Sequence, residues 1–331
     1  MAWADLTDVR CYYELLGEGE PLLLIPGLGT TCRLWDGVAP ELASRFSLIL
    51  VDNRNVGRSV GKRRPRSLAD LVSDLVELLD RLQLERAHVM GISLGGVIAQ
   101  RLAVDHPGRV DRLVLVSCAD RFTPYLRQVA SLLGHSLRHF PKEAFVRTME
   151  LLGTSPQYLD ENEATVEQRV AAKCASRVSG RALAEQLRCL SSSEIDPRYY
   201  RILAPTLVVA GQHDALIPSC YSRTMSEQIP GSRFVMIRGA GHNPLVDYPD
   251  RVLPILTRFL NAARDAGARE DDDDGHGGRA YDHAEGWAGA GGADHDDDTD
   301  DYDNDDNDTP GGSRDTEAFD WRTGRFPEGR R

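Results

Sequence analysis

The stretch Gly91-Ile92-Ser93-Leu94-Gly95-Gly96 decides how the chain is interpreted. An apolar strand candidate, RAHVMGIS (86 to 93), leads into it, and a helix candidate, LGGVIAQRLAVDHP (94 to 107), leads out of it. A G-x-S-x-G motif between a strand and a helix is typical of a sharp turn that lifts a serine hydroxyl out of the sheet edge. A helix N-terminus at that place favours a nearby negative charge. A plain glycine-rich turn can have the same spacing, so residues elsewhere in the chain are needed to distinguish a catalytic serine from an ordinary turn.

Short apolar runs alternate with helix-length amphipathic segments on both sides of this motif. One such segment, SLADLVSDLVELLDRL (67 to 82), has its leucines and valines at helical spacing. The apolar runs are PLLLIPG (21 to 27), FSLILVD (46 to 52), RAHVMGIS (86 to 93), VDRLVLVSC (110 to 118), PTLVVAG (205 to 211) and SRFVMIRGAG (232 to 241). Their unbroken apolar character predicts an α/β fold with a mostly parallel, twisted central sheet and flanking helices. VRCYYELLGEGEP (9 to 21) looks like an initial antiparallel pair that turns near Gly17 and Gly19.

The strand rhythm stops between Ala119 and Arg201, where the pattern indicates several helices. Structureless loops of that length are rare inside compact domains, so we expect an inserted helical cap at 119–201. The core of the fold is then formed by 1–118 and 202–264.

The negative charge of the chain is concentrated after this core. The formal net charge is −12, but Asp265 and the residues after it contain 22 acidic and seven basic residues, a local −15, which leaves about +3 elsewhere. A near-neutral body gives no reason to expect binding to nucleic acid or to a membrane. Residues 265–331 have too few apolar side chains to offset their ordering entropy and are expected to form a disordered acidic tail. A solvating extension and a docking arm for a basic partner both fit that composition.

Two further polar residues follow apolar strands in the order that a catalytic triad requires. Asp214, in GQHDALIP, comes after PTLVVAG, and His242, in GAGHNP, comes after the next strand. Together with Ser93 they give the order Ser, Asp, His. Each lies just past the carboxyl end of a strand, where parallel sheets place their ligand sites.

With these residues in place, the chain resembles the α/β-hydrolase superfamily from about residue 9 to about 262, least recognisably in the cap. The resemblance implies a glycine loop at Pro26-Gly27-Leu28-Gly29. The backbone N–H groups of Leu28 and Leu94 would then hold an oxyanion. The loop commonly begins with His-Gly in the family, and Pro26 replaces that histidine here, which puts the detail of the loop in question.

The family also carries an Asp-x-Arg-Gly-x-Gly-x-Ser turn, which matches residues 52 to 59 here. Asn55 replaces the usual glycine, and asparagine is the side chain that best tolerates a positive φ. An acid and a proline shortly after the histidine are matched by Asp247 and Pro249.

Two other residues are weighed against the triad. His88 lies early in its strand, away from the edge that carries Ser93, so a structural role is expected for it. Asp120 follows VLVSC and is an alternative acid, but Asp214 satisfies the triad order more simply.

The predicted function is a serine hydrolase that cleaves an ester-like bond of a small acyl substrate through an acyl-enzyme on Ser93, with His242 as base and Asp214 as its partner. Carboxylic esters, lactones, enol-lactones, thioesters and β-diketone carbon–carbon bonds all suit this chemistry. A serine at the turn from strand to helix, here called the elbow (residues 91 to 95), argues against the dehalogenase and epoxide-hydrolase branches of the family, which use aspartate as the nucleophile. A ligand-binding protein with little turnover is the alternative outside enzymes, and it is disfavoured because no triad position is lost.

The remaining composition points to no cofactor and no metal. Six cysteines are scattered, without a C-x-x-C pair or the spacing of metal ligands, so mostly buried thiols are expected. The first residues lack the order of a signal peptide, and no apolar run approaches the roughly 20 residues of a membrane span. We therefore expect a cytoplasmic protein whose oligomeric state the pattern does not indicate.

Overall fold

One mixed sheet organises the part of the chain that this computed structural model describes, residues 2–191 and 198–261. Its strands are β1 (Ala2–Asp5), β2 (Val9–Leu16), β3 (Glu20–Ile25), β4 (Phe46–Val51), β5 (Val60–Gly61), β6 (Ala87–Ile92), β7 (Val110–Val116), β8 (Thr206–Gly211) and β9 (Arg233–Ile237). Within the described residues they lie in the order β1-β2-β4-β3-β6-β7-β8-β9, and β5 pairs with β2. The six apolar runs therefore form six neighbouring strands, as predicted.

The sheet is parallel from β4 to β9 and antiparallel at the edge formed by β1 and β2. The initial antiparallel pair predicted within residues 9 to 21 is wrong in its partners, because β2 pairs with β1 and β4, and β4 separates it from β3.

The turn between β2 and β3 contains Gly17. At Gly17 the backbone has a φ of +80°, and a Cβ there would lie 2.2 Å from the carbonyl oxygen of Ala43. The turn thus packs against the chain that enters β4.

Helices cover both faces of the sheet. They are α1 (Ala39–Ala43), α2 (Leu68–Arg81), α3 (Leu94–Asp105), α9 (Ser219–Gln228), α10 (Pro244–Asp247) and α11 (Pro249–Asn261). Leu23 and Ile25 of β3 pack in the cluster that holds the apolar residues of α2, α3 and α9. Leu22 and Leu24 pack in the opposite cluster with α1 and α11. This alternation along one strand buries both faces and explains its unbroken apolar sequence.

Between β7 and β8 the described residues form five more helices: α4 (Pro124–His139), α5 (Lys142–Gly153), α6 (Pro156–Glu161), α7 (Glu163–Ala175) and α8 (Gly180–Ser191). Helices α4, α5, α7 and α8 share an apolar cluster, to which Leu133, Phe145 and Leu183 contribute. The boundaries 119–201 for the cap stay a prediction. The predicted acidic tail, 265–331, lies outside the described residues. No helix among the described residues has the length and apolar character needed to cross a membrane.

The turn after β4, residues 52 to 59, keeps the positive φ at Asn55 that the family resemblance implied. Both carboxylate oxygens of Asp52 accept backbone N–H groups, from Cys32 at 2.7 Å and from Arg58 at 2.9 Å. Asn55 has a φ of 64°. Its side chain accepts from the N–H of Gly61 at 2.9 Å and donates to Glu185 of α8 at 2.7 Å.

Asn55→Ala is expected to lower the free energy of unfolding by about 2 kcal/mol, because a left-handed backbone costs an L-residue about 1–2 kcal/mol and the side-chain hydrogen bonds are also lost. For a domain of this size that corresponds to a fall in Tm of about 4–8 °C in thermal denaturation. Asn55→Gly is the control, since glycine keeps the backbone without strain and loses only the hydrogen bonds. Equal losses for the two variants would show that the backbone preference contributes nothing.

Candidate active site

Ser93 is the single residue between β6 and α3. Its φ of 54° and ψ of −120° lie outside the regions that L-residues favour. Such a conformation costs about 1–3 kcal/mol, so the surrounding structure has to impose it. The Ser93 N–H donates to the carbonyl of Val116 at 2.9 Å, and its own carbonyl accepts from Val97 at 3.0 Å. These bonds tie the turn to β7 and to the first turn of α3.

The glycines of the motif are required by close backbone contacts. A Cβ on Gly91 would lie 2.2 Å from the carbonyl oxygen of Gly95, and a Cβ on Gly95 would lie 2.1 Å from that of Ile25. Both distances are too short for any side chain. The G-x-S-x-G pattern is therefore the steric signature of α3 lying directly against β6 and β3.

The glycine loop after β3 lies beside the serine. A Cβ placed on Gly27 would be 3.4 Å from the Cβ of Ser93. The carbonyl of Pro26 accepts the side-chain amide of Asn53 at 3.1 Å. The loop is thus held by a neighbouring turn although Pro26 stands where the family commonly has histidine.

The amide groups of this loop have different partners. The N–H of Gly29 donates to Oε1 of Gln186 at 2.8 Å, and the N–H of Thr30 donates back to a carbonyl of the loop at 3.3 Å. Neither can serve an oxyanion while so engaged. Leu28 and Leu94 are the predicted donors, and Leu94 opens α3, where helical N–H groups have no intrahelical acceptor.

Asp214 and His242 are in direct contact. Nδ1 of His242 donates to Oδ2 of Asp214 at 2.7 Å. The other oxygen of Asp214 accepts the backbone N–H groups of Leu216 at 2.9 Å and Ile217 at 2.8 Å. The carboxylate is fully buried, while the imidazole is 13% exposed. The pair fixes the ring and leaves Nε2 as the nitrogen that can accept a proton.

The three predicted residues lie at the carboxyl edge of one parallel sheet. Ser93 follows β6, Asp214 follows β8, and His242 follows β9. In the sheet β6 and β8 are separated only by β7, and β9 is the next strand after β8. The order of the three residues along the sheet edge matches that expected for a nucleophile, an acid and a base, and these roles stay a prediction.

Residues 20–249 match a protein-family model described as the alpha/beta hydrolase fold. The chain belongs to the alpha/beta-hydrolase family. The predicted fold class is therefore confirmed, and so is the prediction that the protein is an enzyme of the hydrolase kind.

Among its relatives this alpha/beta hydrolase is 32% identical over 259 residues to "Putative carbamate hydrolase RutD" of Azorhizobium caulinodans, covering 78% of this chain and 98% of that protein. It is 26% identical to a pimeloyl-[acyl-carrier protein] methyl ester esterase of Aeromonas hydrophila, over 75% of this chain and 98% of that one. Among solved structures, a hydrolase from Pseudomonas aeruginosa matches with a TM-score of 0.71 at 29% identity, over 78% of this chain and 97% of that one. An enol-lactonase from Burkholderia xenovorans matches in fold with a TM-score of 0.72 at 22% identity, over 78% and 100%.

The two alternative residues of the sequence lie elsewhere in the hydrolase. Asp120 is buried, and its Oδ2 accepts the side-chain amide of Gln228 at 2.9 Å. His88 is buried near the start of β6, where its Nε2 lies 3.2 Å from Glu20. Of the two acids, Asp214 is thus the one in contact with His242. His88 lies at the end of β6 opposite to Ser93.

The sequence did not reveal how the helices after β7 contact the hydrolase site. The carbonyls of Leu152 and Gly153, the last residues of α5, accept the N–H of Ala215 at 3.3 Å and the N–H of His242 at 2.6 Å. Gln186 of α8 holds the glycine loop in the same way. A glycine at a helix end is a weak signal, and no pattern along the chain connects residue 153 to residue 242.

Proposed function

We propose that this hydrolase cleaves an ester-like bond of a small acyl substrate through an acyl-enzyme on Ser93. The hydrogen bond from His242 to the buried carboxylate of Asp214, at the sheet edge that also carries the strained Ser93, is the observation that carries the proposal. A base held by a buried carboxylate, at the sheet edge that carries a serine at a helix N-terminus, is suited to acyl transfer.

In the first half of the proposed reaction, Nε2 of His242 takes the proton of the Ser93 hydroxyl while Oγ forms a bond to the substrate carbonyl carbon. The carbonyl oxygen becomes an oxyanion held by the N–H groups of Leu28 and Leu94. His242 then gives its proton to the leaving alcohol as the carbon–oxygen bond breaks. Asp214 stabilises the imidazolium throughout.

In the second half, water replaces the alcohol. His242 takes a proton from this water, which attacks the acyl carbon and forms a second oxyanion at the same donors. His242 returns the proton to Oγ of Ser93, and the carboxylic acid is released. No redox step occurs, and every proton taken by His242 is returned within the cycle.

Carbamate hydrolysis is the second candidate, favoured by the 32% identity to a protein named as a carbamate hydrolase along 98% of its length. A carbamate offers the same carbonyl carbon to Ser93, with nitrogen on one side in place of carbon. Only the acyl part differs between the two candidates.

A panel of 4-nitrophenyl esters, a lactone, a thioester and a 4-nitrophenyl carbamate, assayed with wild type and after fluorophosphonate labelling, tests both candidates. We expect one labelled site, Ser93, and loss of hydrolysis in proportion to labelling. Faster turnover of the carbamate would favour the second candidate, and faster turnover of the thioester would correct the substrate class. Labelling without turnover of any carbonyl substrate would contradict the proposal in favour of a ligand-binding protein.

A further inference from the structure

The helices between β7 and β8 support the backbone of the catalytic base. The carbonyl of Gly153, the last residue of α5, accepts the N–H of His242 at 2.6 Å. A Cβ on Gly241 would lie 2.2 Å from the same carbonyl oxygen, so the two backbones touch. The neighbouring carbonyl of Leu152 accepts the N–H of Ala215, the residue after the acid, at 3.3 Å. The end of α5 is thus bonded to both loops that carry the acid and the base.

Arg169 of α7 contacts both the end of α5 and the segment that follows His242. Nη1 of Arg169 lies 2.8 Å from Oδ1 of Asp247, and its Nη2 lies 3.4 Å from Oγ1 of Thr154. Its Nε lies 3.5 Å from Oε2 of Glu150, one turn before the end of α5. Asp247 is the last residue of α10, a helix that begins two residues after His242. Arg169 therefore connects with the segment that follows His242 through Asp247, and with the end of α5 through Glu150 and Thr154.

Burial makes this connection rigid and sensitive to change. The side chain of Asp247 is 1% exposed, that of Glu150 is 7% exposed and that of Arg169 is 18% exposed. Lys173 supplies a second positive charge on Glu150. Buried charges are destabilised when one partner is removed, so loss of Arg169 leaves Asp247 without the arginine that pairs with it, while Glu150 keeps Lys173. The groups that would move are the end of α5, which is bonded to the N–H of His242, and α10, which follows His242 in the chain.

We propose that Arg169 is a positioning residue for His242, which it keeps in its catalytic place through Asp247 and the end of α5. The inference rests on the proposed function, because Arg169 acts through the base and does not touch substrate. Displacement of a catalytic group by about 1 Å costs about 100-fold in rate, whereas substrate contacts are untouched. The loss therefore falls on kcat and not on KM.

The test compares Arg169→Met with Arg147→Met. Arg147 lies on α5, is 47% exposed and forms ion pairs with Glu143 and Glu167. It is a matched arginine that contacts neither catalytic loop. For Arg169→Met we expect kcat to fall about 10- to 100-fold with KM within twofold of wild type, and the rate of fluorophosphonate labelling to fall by the same factor. Arg147→Met should change neither quantity by more than twofold.

Hydrogen–deuterium exchange gives a readout that needs no turnover. Because the His242 N–H is bonded to Gly153, the peptide that contains it should lose protection in Arg169→Met and keep it in Arg147→Met. A folded Arg169→Met variant with unchanged kcat, or with unchanged protection of that peptide, would overturn the inference. An equal fall in kcat for Arg147→Met would do the same.

Arg169→Lys keeps the test decisive if the methionine variant does not fold. Lysine retains the charge without the planar fork, so we expect about a threefold loss of kcat and partial loss of protection, and wild-type values for both would overturn the inference. If wild type itself hydrolysed nothing, the proposed function would fail, while the exchange measurement would still test the support of His242.

Discussion

Ser93→Ala is expected to lower kcat by about 10⁵- to 10⁶-fold while Tm changes little, in line with the loss seen when a serine protease loses its nucleophile. Alanine has the same backbone preference as serine at this φ, so the turn between β6 and α3 should persist. The residual rate would come from substrate binding and the oxyanion donors alone. The fall in kcat is measured from hydrolysis of a 4-nitrophenyl ester, with the uncatalysed rate subtracted.

Ser117→Ala is the matched control for this experiment. Ser117 is buried and, like Ser93, has a positive φ, of 47°, and follows a strand, since β7 ends one residue before it. Wild-type turnover in this variant would show that the loss in Ser93→Ala belongs to the hydroxyl at the elbow. Undiminished fluorophosphonate labelling of Ser93→Ala would refute the assignment of the nucleophile.

Asp214→Asn is expected to lower kcat by about 10³- to 10⁴-fold with the fold intact, as the same change does in a serine protease. The asparagine oxygen can still accept the N–H groups of Leu216 and Ile217. Its amide then faces Nδ1 of His242, which favours the wrong tautomer and offers no charge to the imidazolium. Steady-state kinetics with circular dichroism separate this effect from unfolding.

Asp120→Asn serves as the control, because Asp120 bonds to Gln228 and not to the base. A large loss for Asp120→Asn with a small one for Asp214→Asn would reverse the choice of acid. Triad members act as a unit, so Ser93→Ala combined with Asp214→Asn should be barely slower than Ser93→Ala alone.

Local patterns were sufficient for most of the fold. The elbow could be predicted because its glycines, its serine and both flanking elements are contiguous, and each carries its own steric reason. The helix predicted at 67–82 is found at Leu68–Arg81 for the same reason, since its apolar side chains repeat along one face. The pairing of β2 could not be predicted, because strand neighbours depend on where β4 inserts, and periodicity contains no information about partners.

In the candidate site, too, some residues could be predicted from the sequence and others could not. Ser93, Asp214 and His242 could be predicted from chain order, since each follows an apolar strand and parallel strands end at one edge. Gln186, Gly153 and the residues that support them could not. Their roles come from packing between helices after β7 and loops more than 60 residues away, and side chains of ordinary type give no local sign of such contacts.

The strand order also sets when activity can arise during folding. The turn that carries Ser93 contacts β3 and β7, whereas His242 and Asp214 follow β9 and β8, which come after the helices α4 to α8. Long-range pairings of this kind close late, because the loop entropy has to be overcome first. An intermediate that lacks the last two strands would present its serine without a general base. If the proposed triad is the catalytic one, activity requires the completed sheet, and a half-assembled chain is expected to be inactive.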